Sequence, residues 1–344
     1  MAGNNNKTLF YLTILLICCL LISVQSCSHH NSSEPFNDET AYLFSYFTDQ
    51  ESGLRLAYSY DGLTWTTVER KDGSSFLVPN IGKDRLMRDP SICQGPDGIF
   101  HLVWTTSWWD RIIGYSSSAD LIHWDEQKSI PVMMHEQDAL NCWAPELYYD
   151  NLSHQFYVFW ATTIPGRHNE IGEAENESER GLNHRIYATK TKDFSTFTPT
   201  FLFFDNSFSS IDATIVCSPI DGSILMAVKN ENPNPPEKNI RISRRMTNGH
   251  PSVSLEEGEW EPVSKPIHGD FWAEGPSLLF VHDTLYAYYD CYINHRYGVS
   301  RSTDNGYTWQ SVDSLAQFPK DMHHGTAFNV KKSFLEKLIR DAKQ

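Results

Sequence analysis

A short pattern recurs five times along this chain, and such recurrence constrains the fold more tightly than any composition figure. Its copies are Arg55-Leu-Ala-Tyr-Ser-Tyr-Asp61-Gly-Leu-Thr-Trp65, Ile113-Gly-Tyr-Ser-Ser-Ser-Ala-Asp120-Leu-Ile-His-Trp124 and Arg185-Ile-Tyr-Ala-Thr-Lys-Thr-Lys-Asp193-Phe-Ser-Thr-Phe197. A degenerate fourth begins at Ile240 and ends at Trp260, and the fifth is Tyr297-Gly-Val-Ser-Arg-Ser-Thr-Asp304-Asn-Gly-Tyr-Thr-Trp309. Each reads as a strand, a turn holding Asp or Gly, and an aromatic residue opening the next strand.

A second series precedes these copies: Asp89-Pro-Ser-Ile, Ala144-Pro-Glu146-Leu, Ile211-Asp212-Ala-Thr-Ile, Ala273-Glu274-Gly-Pro-Ser and His324-Gly-Thr-Ala. After each of the first four comes an apolar strand, starting at Phe100, Phe156, Ile224 and Leu285. Four strands per unit is the make-up of a propeller blade. The first unit, from Ala41, lacks an opening motif, and the opening motif at His324 stands alone near the C-terminus. Together these halves complete one blade and leave few exposed sheet edges. The sequence therefore predicts an all-β chain, a five-bladed β-propeller over residues 38–344, closed by pairing of the C-terminal strand with the first blade. Residues 333–344 carry apolar residues at helical spacing and predict a short terminal helix.

What precedes the propeller reads as a targeting segment. Lys7 gives a positive start, Leu9 to Val24 is almost wholly apolar yet short for a membrane span, and Ser26-Cys27 resembles the lipobox of bacterial lipoproteins. Residues 1–27 are expected to be a signal peptide with Cys27 lipidated, and the polar residues 28–37 a tether. The implied location is the bacterial cell envelope, periplasm or outer membrane surface, with the membrane touched only through the lipid; plain secretion is the alternative. A formal net charge of −15 without a basic run excludes an ordinary nucleic-acid partner. Cys93, Cys142, Cys217 and Cys291 show no C-x-x-C spacing and read as buried thiols rather than metal ligands.

In a propeller the start of each innermost strand faces the central axis at one end. The second series brings Asp89, Glu146, Asp212, Glu274 and His324 there, as equivalent positions of the repeat. Like charges held close and desolvated have raised pKa values, which is how a carboxyl group is tuned to donate a proton near neutral pH. One carboxylic acid that protonates a leaving oxygen, and one carboxylate that activates water, form the equipment of glycoside hydrolysis. Trp108, Trp109, Trp143 and Trp272 adjoin these motifs; an indole suits a sugar's C–H face, and core packing is the alternative. Arg296 is a candidate to hydrogen-bond the sugar or orient the acid, with a surface ion pair as the alternative. The polar loop 167–184 is long enough to wall a pocket, or is a solvated insertion.

The ordered motifs resemble glycoside hydrolase family 43, five-bladed inverting enzymes, over essentially residues 40–330. The resemblance implies that Asp89, in Arg88-Asp89-Pro90-Ser91, is the general base. It implies that Asp212, after Ile211, modulates the acid's pKa, and that Glu274, in Glu274-Gly275-Pro276, is the general acid. The family's base motif usually lies close to the N-terminus; here the hairpin 40–65 comes first, as a shifted closure point would produce. Glu146 matches a recurrent but non-catalytic family motif, which implies a structural or substrate-binding role. His324 resembles the family's axial His, which lines the central channel and often contacts an ion through water. No cofactor is required, and a structural calcium ion near His324 is left open. The implied activity is exo removal of terminal pentose from plant polysaccharide side chains, α-L-arabinofuranosidase first and β-xylosidase second. The rival is a non-catalytic glycan-binding surface propeller. Asp89 and Glu274 lie in blades separated by two others along the chain. They are expected to face each other across the axis at the wider carboxyl spacing of inverting enzymes, roughly 6.5–9.5 Å.

Overall fold

The computed structural model describes residues 39–49, 51–168, 182–232 and 237–344. The expected signal segment, Cys27 and the tether lie outside the described residues, as does most of the 167–184 loop. None of the described helices is long and apolar enough to cross a membrane.

Five antiparallel sheets follow one another along the chain. Blade 1 holds β1 (Thr40–Tyr46), β2 (Arg55–Ser59) and β3 (Thr66–Thr67). Blade 2 holds β4 (Arg88–Gln94), β5 (Phe100–Thr105), β6 (Ile113–Ser118) and β7 (Lys128–Ile130). Blade 3 holds β8 (Trp143–Asp150), β9 (Gln155–Thr162), β10 (Arg185–Thr191) and β11 (Phe201–Phe204). Blade 4 holds β12 (Ser210–Cys217), β13 (Ile224–Asn230), β14 (Asn239–Thr247), β15 (His250–Pro251) and β16 (Glu259–Trp260). Blade 5 holds β17 (Glu274–Val281), β18 (Thr284–Cys291), β19 (Arg296–Ser302) and β20 (Gln310–Ser311). The last strand, β21 (Thr326–Lys331), returns to blade 1 and pairs with β1 from Thr40↔Lys331 to Ser45↔Thr326. The ring thus closes as the two half-units in the sequence predict.

The second strand of each blade is a continuous apolar run rather than an alternating one, because both of its faces are covered by neighbouring blades. β5, for example, is buried throughout, and so is β13. Each gap between adjacent blades holds its own apolar cluster. Leu43 and Leu56 meet Ile92 and Trp104 between blades 1 and 2, and Phe44 and Ala57 meet Tyr288 and Val299 where blade 5 returns to blade 1. The outermost strands of four blades are only two or three residues long or end in two-residue pairings, which keeps the perimeter a poor template for strand addition. Helix α1 (Lys332–Ala342) follows β21 directly, close to the predicted span, and buries Leu335, Leu338 and Ala342 against the blade 1–2 cluster.

The first repeat series is structural. Asp61 Oδ1 accepts from the backbone N–H of Leu63 and Thr64 at 2.8 and 2.7 Å, and Trp65 Nε1 donates to the Gly62 carbonyl. Asp120 and Asp193 make the same turn, and Asp304 makes one that is a residue longer, accepting from the N–H of Tyr307 and Thr308. These turns follow the third strand of each blade and lie at the end opposite to where the innermost strands begin. Blade 4, whose copy is degenerate, turns instead through the β14–β15 hairpin.

Candidate active site

The innermost strands β4, β8, β12 and β17 share one local distortion. Each slips register against its neighbour at its start: Arg88/Ser91, Trp143/Glu146, Ile211/Thr214 and Glu274/Ser277. At each slip one residue is left-handed: Asp89 (φ 53°), Ala144 (φ 46°), Asp212 (φ 53°) and Gly275 (φ 57°). Such bulges re-aim side chains and gather beside functional sites. Left-handed backbone is costly for any residue with a Cβ, and three of the four positions carry one.

The slip corrects one expectation. The five polar residues of the second series are not equivalent positions of the repeat. Asp89 and Asp212 occupy the left-handed position itself. Glu274 stands one residue before its left-handed Gly275, and His324 one residue before Gly325. Glu146 stands two residues past Ala144. They converge because successive blades present different register positions to the same axis. Along the chain two blades lie between those of Asp89 and Glu274; round the other side of the closed ring only blade 1 does, the blade that carries His324 on the approach to β21.

His324 is the hub of the group. Its Nδ1 lies 3.2 Å from Asp89 Oδ1, and its side chain is 9% exposed. A Cβ on Gly275 would fall 2.4 Å from His324 Cγ, so only glycine lets the ring lie there. Burial works against a charged His324, yet the charges of Asp212, Asp89 and Glu146 outweigh it and push the imidazole up to about 9. It is therefore a cation at neutral pH.

The carboxyl groups round this cation differ. Burial raises Asp89, but the hydrogen bond and charge of His324, the charge of Arg88 and the Thr105 hydroxyl, which donates to Oδ2 at 2.8 Å, overcome it and hold the group at about 2. Burial also raises Asp212; His324 and Lys229 oppose it, Glu274 and Asp89 add to it, and the result is about 6. Asp212 Oδ2 accepts from the Gly275 backbone N–H at 3.0 Å, which places it beside Glu274. Glu274 is the most open of the three, with a side chain 24% exposed.

Glu146 sits further along its strand, beneath this group. Its carboxyl accepts from Thr326 Oγ1 at 2.8 Å and Thr214 Oγ1 at 3.2 Å, and burial foremost raises it to about 7. These hydroxyls come from blades 1 and 4, so Glu146 ties the ring together across the axis. Arg296 is not joined to the carboxylates: its Nη1 donates to Asp313 Oδ2 at 2.6 Å, and its guanidinium lies over Phe271. Among the described residues no group of three or more His, Cys, Asp or Glu side chains is placed to hold a metal ion directly.

Aromatic side chains surround the carboxylates. Arg88, next to Asp89, lies 4.6 Å over the Trp108 ring and 5.0 Å over Phe47. Trp143 Nε1 donates to the Trp108 carbonyl, and Trp109 packs on Trp143. Trp108 and Trp109 are well exposed. On the other side Trp272 lies by Tyr292 and under Lys238.

Four neighbours of the site were not among the sequence candidates. Thr105 closes β5 and Lys229 sits near the end of β13. Asp290, the direct cross-strand partner of Glu274, holds His323 Nδ1 at 2.8 Å. The signal for Lys229 is a lysine inside an otherwise apolar strand; for His323 it is its place beside His324.

Residues 37–336 match the family model described as "Probable glycosyl hydrolase domain", a family related to glycoside hydrolase family 43. Similar solved structures include a thermostable family-43 glycoside hydrolase, at 19% identity over 65% of this chain and 70% of that one with a TM-score of 0.48. An α-L-arabinofuranosidase from Lactobacillus brevis is 16% identical over 66% and 72%, with a TM-score of 0.47. A xylan β-1,4-xylosidase from Bacillus halodurans C-125 is 17% identical over 68% and 42%, also with a TM-score of 0.47. No curated protein sequence matches the chain. Since the family match runs from the first blade through the closing strand, the chain belongs to the glycosyl hydrolases related to glycoside hydrolase family 43.

Proposed function

We propose that this chain is an inverting exo-glycosidase that removes terminal pentose, α-L-arabinofuranosyl before β-xylosyl, from plant polysaccharide side chains. The observation that carries the reading is the unequal treatment of two carboxyl groups round one imidazolium. Asp89 is held ionised, at about 2, while Asp212 is held up at about 6 beside the open Glu274. Asp89 takes a proton from the attacking water as its oxygen bonds to the anomeric carbon. Glu274 gives a proton to the glycosidic oxygen as its bond to that carbon breaks, and the remaining saccharide leaves as an alcohol. Asp212 supplies the neighbouring negative charge, and His324 balances the two aspartates. The indoles of Trp108, Trp143 and Trp272 offer faces for sugar rings. The choice of pentose and of exo action rests on the resemblance of the ordered motifs.

A panel of aryl glycosides, followed by proton NMR of the first-formed sugar, tests this reading. Turnover of the α-L-arabinofuranoside with release of the anomer opposite to the substrate's is the expected result. A retained anomer overturns the roles of Asp89 and Glu274. Glycan binding without turnover of any glycoside makes the chain a binding propeller instead.

A further inference from the structure

Lys229 is a lysine in a place that packing alone does not call for. β13 is buried from end to end, and the Lys229 side chain is only 2% exposed. A buried ammonium must be balanced by carboxylates within reach. Two are present. Glu231 Oε2 lies 2.7 Å from Nζ as an ion pair, but lacks hydrogen-bond alignment. Glu274 Oε2 lies 3.0 Å away and is aligned as the acceptor of an Nζ–H. Glu231 is balanced in turn by Lys238, whose Nζ is 2.9 Å from Oε1. The result is a chain of alternating charge, Glu274–Lys229–Glu231–Lys238, running from the pocket into the gap beneath the rim. Lys229 also lies over the Tyr292 ring and Lys238 over Trp272, so the chain is pinned to the aromatic wall.

One carboxylate would have sufficed to neutralise Lys229. The second is the one member of the chain that opens to the pocket. We propose that Lys229 is a positioning residue for Glu274: anchored by Glu231 and Lys238, its ammonium holds Oε2, so that Oε1 is the oxygen that carries the proton to the leaving group. The other charged or titratable groups facing Glu274 do not compete for this task. Asp212 accepts from the Gly275 backbone N–H, Asp290 is paired with His323 Nδ1, and Tyr297 is buried in the blade 5–1 cluster. The inference rests on Glu274 being the acid, as proposed above.

Leaving-group dependence provides the test. Lys229→Met is assayed on an alkyl or disaccharide substrate, whose departure needs a proton, and on an aryl substrate with an activated leaving group, which does not. The expected loss is about 10²-fold on the first, the scale of a misplaced reacting group, and several-fold at most on the second, with recovery of most of the difference in Lys229→Arg. Equal losses on both substrates, or no recovery with arginine, overturn the proposal. Glu274→Gln is run in parallel: if it shows no leaving-group discrimination, the acid assignment fails. If it discriminates and Lys229→Met does not, only the present inference fails. Should Lys229→Met not fold by melting analysis, Glu231→Gln leaves the ammonium in place but unanchored. It must then show the same discrimination at smaller size; uniform loss again overturns the proposal.

Discussion

The starts of β4 and β12 form a natural experiment within one molecule. Asp89 and Asp212 sit at the same point of the repeat, with the same left-handed φ of 53° and the same register slip beside them. Both flank His324. Yet one is held near 2 and the other near 6. Backbone geometry therefore does not set the difference; the side chains around each do. Asp89 takes the hydrogen bond of His324 as well as its charge, with Arg88 and the Thr105 hydroxyl adding to it, whereas Asp212 has the charges of His324 and Lys229 against the like charges of Glu274 and Asp89. A repeated fold supplies identical stages, and each stage receives its chemistry from the side chains that its own and the neighbouring blades bring to it.

The largest break in this comparison comes from making the two residues alike. Asp89→Asn is expected to lower kcat by about 10²–10⁴-fold, the usual worth of a general base. Asp212→Asn is expected to cost less and to abolish the inflection near pH 6 in the kcat/KM profile, an inflection that Asp89→Asn leaves in its residual activity. An inflection that survives Asp212→Asn assigns the group near 6 elsewhere. The shared neighbour gives the next effect. His324 is raised in the folded state, so its contribution to stability is complete below the unfolded value of about 6.5 and is lost as pH rises through about 9. Wild type should thus lose, between pH 6.5 and 9.5, a few kcal/mol relative to His324→Gln, on the order of the shift involved. Parallel stability curves would remove His324 from its place as hub. The smallest effects compare the other two stages. Gly275→Ala should destabilise by about 1–3 kcal/mol, because its Cβ meets the His324 ring. Ala144→Gly should stabilise by about 1 kcal/mol through relief of the left-handed alanine. Denaturant midpoints of the two variants should therefore move in opposite directions.

Much of the fold was legible because propeller strands declare themselves locally. The aromatic-ended turns at Asp61, Asp120, Asp193 and Asp304, with the degenerate copy that ends at Trp260, give the blade count, and the orphan motif at His324 gives the closure. Asp89, Asp212 and Glu274 were legible for the same reason, as members of short ordered motifs. What stayed hidden depends on contacts between blades. The one-residue offset between Asp212 and Glu274 comes from backbone slips that leave no composition mark. Lys229 reads as a strand end until Glu274, 45 residues away, is brought to it. Arg296 looked apt from its place after Glu274, but Asp313, 17 residues on, claims it.

The strand that closes the ring also delivers both histidines of the site. Until β21 has left the ribosome, blade 1 has an open inner edge, Asp89 and Asp212 have no cation between them, and Asp290 has no partner. Activity is thus an all-or-nothing report that the closing strand has been made: a chain cut short before residue 323 forfeits its chemistry together with its closure, and such a truncated form should not linger as a partly competent enzyme.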